Sequence, residues 1–107
     1  MTRQAAKVDR NQTEIIQALR KAGKGQLTVY SLAGMGNGIP DLICGVNGKT
    51  YLVEVKDGSK ARSAQKLTPM QEQFCATWTG RPVMILRDTD TAHAWAVALT
   101  QGKDTDE

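Results

Sequence analysis

The sequence predicts an α/β protein: a small mixed β-sheet flanked by helices, in the order α-β-β-β-α-β with a further short helix at the end. Three observations carry this expectation. An amphipathic helical segment opens the chain, two strand-like runs are joined by Asn47-Gly48, and a proline-initiated helix separates them from a last strand-like run.

From Arg3 to Ala22, the apolar residues Val8, Ile15, Ile16, Leu19 and Ala22 recur at helical spacing, and Gly23 is a usual helix stop. Gln26 to Leu32 (QLTVYSL) is rich in β-formers and reads as a strand. The AGMGNG that follows has neither the Walker nor the dinucleotide-binding spacing, so it reads as a flexible turn instead of a phosphate loop. Asp41 to Val46 (DLICGV) and Lys49 to Lys56 (KTYLVEVK) then form a hairpin through a two-residue type I′ turn at Asn47-Gly48. Residues 57 to 67 make a polar, basic loop. Thr68-Pro69 supplies a cap and a first-turn proline for a helix running to about Thr79, with Met70, Phe74 and Trp78 as its expected buried stripe. Gly80 ends that helix, Pro82 to Leu86 reads as a strand, and the spacing of Ala92, Trp95, Ala96 and Leu99 favours a short helix over Thr91 to Leu99.

At 107 residues, 40% hydrophobic and 23% charged, the chain has room for one core, so residues 1 to 100 are expected to form one domain and 101 to 107 a disordered acidic tail. So short a chain buries about two thirds of its unfolded surface, which makes a second copy of the chain an expected partner. Cys44 and Cys75 lack any Cys-x-x-Cys or Cys/His spacing, and the single His93 is remote from both, so neither a disulfide framework nor a zinc site is indicated. No apolar run reaches the length of a membrane span and the N-terminus is polar, which leads us to expect a cytoplasmic protein with no membrane partner. The formal charge is +3 and the pI near 9.0. Acidic residues gather in the tail (Asp104, Asp106, Glu107), while Lys56, Lys60, Arg62 and Lys66 form a basic segment after the second hairpin strand.

With a two-residue loop, Val46 faces Lys49, Ile43 faces Leu52 and Asp41 faces Glu54. Opposed like charges repel, and a hard divalent cation relieves that repulsion by taking both carboxylates as ligands. Glu54 and Lys56 lie two apart on one strand and so share its face, which thus carries two acids and one base. An exposed salt-bridge cluster at a strand end is the alternative. Pro40 fixing the chain that enters Asp41, the registered acids, the same-face lysine and the adjoining basic loop together favour a metal site.

Gly38-Ile39-Pro40-Asp41, twelve residues, then Glu54-Val55-Lys56 resembles the PD-(D/E)xK nuclease signature. Glu14 in TEIIQALRKAG and Gln71 in Leu67-Thr68-Pro69-Met70-Gln71 are similar to the VRR-NUC (virus-type replication-repair nuclease) branch, over nearly the whole chain and at the size of standalone viral and bacterial members. The resemblance implies a restriction-endonuclease-like core and a Mg²⁺- or Mn²⁺-dependent endonuclease acting on DNA. It places Asp41, Glu54 and the Val55 carbonyl on the metal, with Glu14 contributing, often through water, and gives Lys56 the attacking water and Gln71 the neighbours of that lysine or the scissile phosphate. Two residues also have plainer explanations: Glu14 lies off the apolar stripe of its helix, and Gln71 completes a capping box with Thr68. Lys60, Arg62 and Lys66 are candidates for flanking phosphates, contacts that hold DNA without reading its sequence. Trp78 and Trp95 could stack bases, though their spacing suits core or dimer contacts. Standalone members of the family are homodimers that cut branched DNA such as four-way (Holliday) junctions, so the resemblance implies that state and substrate. Flap, nicking or single-strand cleavage, or a non-catalytic DNA-binding module, are the alternatives.

Overall fold

The computed structural model describes residues 10 to 102, so Val8 and the acidic tail residues lie outside the described residues. The order is α1 (Arg10–Gly23), β1 (Leu27–Ser31), β2 (Leu42–Val46), β3 (Lys49–Val55), a 3-10 turn at Arg62–Gln65, α2 (Pro69–Thr77), β4 (Met84–Leu86) and α3 (Thr89–Thr100). It is an α/β arrangement in which a four-stranded mixed sheet is flanked by three helices. Among the described residues no helix is long and apolar enough to cross a membrane.

The strands lie in the order β1-β2-β3-β4, the first three antiparallel and β4 parallel to β3. Asn47 (φ 53) and Gly48 (φ 77) both adopt positive φ, as a type I′ turn requires, and that turn sets the expected register of Val46 with Lys49 and Ile43 with Leu52. The parallel β4 needs a crossover, which the 3-10 turn and α2 supply.

One face of the sheet makes the core. Leu42, Cys44, Val46, Tyr51, Val53, Val55 and Leu86 are buried there against Ile15 and Leu19 of α1 and Ala92, Trp95, Ala96 and Leu99 of α3. Trp95 meets Tyr51 edge to face, with ring centroids 5.5 Å apart, and is thus a core residue. Asp88 caps α3 by accepting a hydrogen bond from the Thr91 N–H at 2.7 Å, starting that helix earlier than its apolar spacing suggests.

The opposite face carries Tyr30, Ile43, Leu52, Glu54 and Ile85, and α2 lies on this side. Here one expectation is corrected. Met70, Phe74 and Trp78 are not a buried stripe: Met70 is 55% and Trp78 44% exposed, and α2 has no fully buried residue. The helix instead turns Gln71, Phe74 and Cys75 toward the sheet, because the Gln71 amide is bonded to Glu54 and fixes its rotation. Phe74 and Trp78 stack on each other, centroids 5.2 Å apart. The helix also ends at Thr77, two residues short of expectation, with Trp78 extended at its C-cap. Strand β4 begins at Met84 rather than Pro82, where the missing N–H cannot join a ladder.

Gly38 matters to the site because the loop it belongs to abuts the first turn of α2. Its φ is +77, and a Cβ there would collide with the Met70 carbonyl. Gly36 has a similar φ of +70 but open space around it. Gly38→Ala is therefore expected to destabilise the fold by more than about 2 kcal/mol and Gly36→Ala by about 1 kcal/mol, as measured by denaturant unfolding. Equal losses would show that α2 does not pack against the loop as described.

Candidate active site

The core-facing register of the hairpin ends at Leu42 with Val53, and the next residues along are Asp41 and Glu54. Pro40 is buried and delivers the chain into Asp41, whose carbonyl accepts a hydrogen bond from the Leu32 N–H at 2.7 Å. The Asp41 carboxylate reaches across to β3, where its Oδ2 accepts from the Val55 N–H at 2.9 Å. Asp41 and Glu54 are thereby neighbours close enough to share a hydrogen bond, as the hairpin register predicts.

Lys56 follows β3 directly. Its N–H donates to the Leu86 carbonyl at 3.0 Å, and its own carbonyl accepts from Asn11 Nδ2 at 2.9 Å, so β4 and α1 fix its backbone. The Nζ donates to Gln71 Oε1 at 2.9 Å and lies 3.6 Å from Glu54 Oε2. Gln71 Nε2 donates to the same Glu54 oxygen at 2.9 Å. The capping box is present as well, since the Gln71 N–H bonds Thr68 Oγ1 at 3.2 Å and Gln71 Oε1 accepts from the Thr68 N–H at 2.9 Å. A single glutamine thus both starts α2 and ties Glu54 to Lys56.

Glu54 is 3% exposed, and the Lys56 side chain 12%. Burial, and then the charge of Asp41, push the Glu54 carboxyl from 4.5 up to about 7, against the opposing pull of Lys56. Near neutrality the two acids therefore hold a proton part of the time. Cys75, one turn beyond Gln71, lies close enough for the Glu54 charge to add to the burial that raises its thiol.

Asp41, Glu54, Val55, Lys56 and Gln71 are thus brought together. Glu14 is not part of this cluster: its Oε2 pairs with Arg10 Nε at 3.1 Å, and it lines an open cavity of about 430 Å³ with Asn11, Asp57 and Asp88. Among the described residues no group of three or more His, Cys, Asp or Glu side chains is placed to hold a metal, so the side-chain donors here are two. Lys60, Arg62 and Lys66 are exposed, and the last two line a second cavity, with Arg87. Sequence reasoning missed Asn11, Cys75 and Arg87. The spacing of Cys75 from Gln71 was a usable signal; Asn11 and Arg87 gave none, because their partners are distant in the chain.

Since the Glu54 value in the fold, about 7, lies above its ordinary 4.5, the folded protein keeps a proton that the unfolded chain has released. The stability this gives is complete below 4.5 and is lost as pH rises through about 7. In EDTA the melting temperature is expected to fall between pH 5 and pH 8, by an amount worth on the order of 3 kcal/mol, and Glu54→Gln should flatten that fall. An equally steep fall in the variant would remove Glu54 as its source. Compared with family models, curated proteins and solved structures, the chain finds no match in any of the three.

Proposed function

We propose that the chain is a metal-dependent DNA endonuclease with a restriction-endonuclease-like core of the VRR-NUC type, hydrolysing phosphodiester bonds. The observation that carries this reading is the convergence of the Asp41 and Glu54 carboxylates beside Lys56, with Glu54 buried and Asp41 half-buried. The order of elements, a three-stranded meander followed by a crossover to a parallel strand, supports it too.

The donor set suits Mg²⁺ or Mn²⁺. Two neighbouring carboxylates that already compete for a proton offer hard oxygen ligands, and such ions keep several waters or phosphate oxygens besides one or two carboxylates. Asp41, Glu54 and the Val55 carbonyl would hold the ion. Once bound, it would neutralise phosphoryl oxygens and make a bound water more acidic. Lys56 orients the attacking water and offsets the charge developing on the phosphate. Gln71 keeps the lysine Nζ and the Glu54 carboxylate in register. Glu14 would act through water and only after releasing Arg10. The preference for branched DNA such as four-way junctions, and a homodimeric state, follow from the family resemblance, and a two-fold enzyme suits a two-fold substrate.

Labelled four-way junction, flap and linear duplex, each incubated with Mg²⁺, Mn²⁺ or EDTA, test the proposal. Cutting is expected only with metal and most on the junction. Asp41→Ala and Lys56→Ala should each lose at least about a hundredfold in rate, and Gln71→Ala about tenfold, since it acts by positioning. Cutting in EDTA, or at an unchanged rate in the Asp41 variant, would overturn the mechanism. Binding without cutting under any metal would make the chain a DNA-binding module.

A further inference from the structure

A cationic cleft lies beside the site, built from segments far apart in sequence. Arg62 and Lys66, at the two ends of the 3-10 turn, and Arg87, at the end of β4, line a cavity of about 520 Å³ together with Gln65. None of the three cations has an ion pair among the described residues. Arg87 is placed by the backbone that places Lys56: the Leu86 carbonyl takes the Lys56 N–H and the Arg87 carbonyl takes the Gly58 N–H, both at 3.0 Å.

The Arg87 side chain is also held. Its Nε donates to Gln65 Oε1 at 3.0 Å. The Gln65 amide cannot turn over freely, because Nε2 donates to the Lys60 carbonyl at 2.8 Å and more weakly to the Gly58 carbonyl at 3.4 Å. With Nε committed, the two Nη groups remain as a planar pair of donors, the shape that takes two oxygens of one phosphate. Arg87 also lines the cavity that holds Glu14, Asp57 and Asp88, but it forms an ion pair with none of them: Glu14 pairs with Arg10, Asp88 caps α3 and Asp57 accepts from Ser59 N–H and Oγ.

We infer that Arg87, oriented by Gln65 and assisted by Arg62 and Lys66, is a phosphate-binding residue that holds the DNA backbone next to the site of cleavage. This rests on the nuclease reading above and adds the path of the strand, from the Lys56 end of the site across the ends of β3 and β4 to the 3-10 turn. One phosphate contact contributes a factor of about [salt]⁻⁰·⁹ to the binding constant of duplex DNA, or roughly eightfold at 0.1 M salt relative to 1 M.

Fluorescence anisotropy with a labelled DNA duplex in EDTA, over a series of salt concentrations, tests it without any cleavage. Arg87→Gln should weaken binding by about eightfold at 0.1 M salt and reduce the slope of log affinity against log salt by about one. Gln65→Ala should weaken binding less, with the slope kept, because the cation remains but is no longer oriented. Arg81→Gln is the control: Arg81 sits over the Tyr51 ring, 5.0 Å from its centroid, and lines a different cavity, with Ile43 and Trp78. An Arg87 variant that binds like wild type, or an Arg81 variant that loses as much, overturns the inference and leaves the nuclease reading standing. Failure of the wild type to bind either the duplex or a four-way junction, even at low salt, overturns both.

Discussion

Glu54 is buried and held against the half-buried Asp41, and most of the surrounding structure answers to that placement. An isolated carboxylate is costly to bury, and two together cost more. The protein offsets part of this with the Val55 N–H on Asp41, the Gln71 amide on Glu54, the Lys56 ammonium at 3.6 Å and a proton shared between the acids. A hydrophobic strand end would be more stable. Retaining such an arrangement is characteristic of functional sites, where perturbed ionisation accompanies chemistry.

The fold supplies the rigidity this placement needs. Asp41 hangs from the β1–β2 ladder through its carbonyl, Lys56 is anchored by β4 and α1, and Gln71 is anchored by the helix it caps. The hairpin thus sets Asp41 against Glu54 and Lys56, and the packing of α2 adds Gln71 to them. Gly38 allows the loop that delivers Asp41 to touch the start of α2.

Local patterns made much of this legible in the sequence. Asn47-Gly48 dictates the turn, the turn dictates the register, and the register brings Asp41 to Glu54. Thr68-Pro69 and Gln71 announce a capped helix, and Ala92, Trp95, Ala96 and Leu99 announce the buried face of α3. The exposed Met70 and Trp78 escaped this reasoning because apolar spacing says which residues could share a face, not which face a polar anchor turns inward. In the site itself, Gln71 was readable twice, as cap and as partner of Lys56, and both bonds coexist. Asn11 and Arg87 were invisible because their positions depend on how α1 and β4 dock beside residues 56 to 58.

The central claim is that Asp41 and Glu54 together hold a divalent cation. Calorimetric titration of Mn²⁺ into the metal-free protein tests it most directly, beside Asp41→Asn and Glu54→Gln, which keep the shape of each side chain and remove its charge. The account predicts one saturable site in the wild type, tighter at pH 8 than at pH 6 because the ion must displace the shared proton, and greatly weakened in both variants. Binding of equal strength in the wild type and both variants, or no binding at all at either pH, would contradict it.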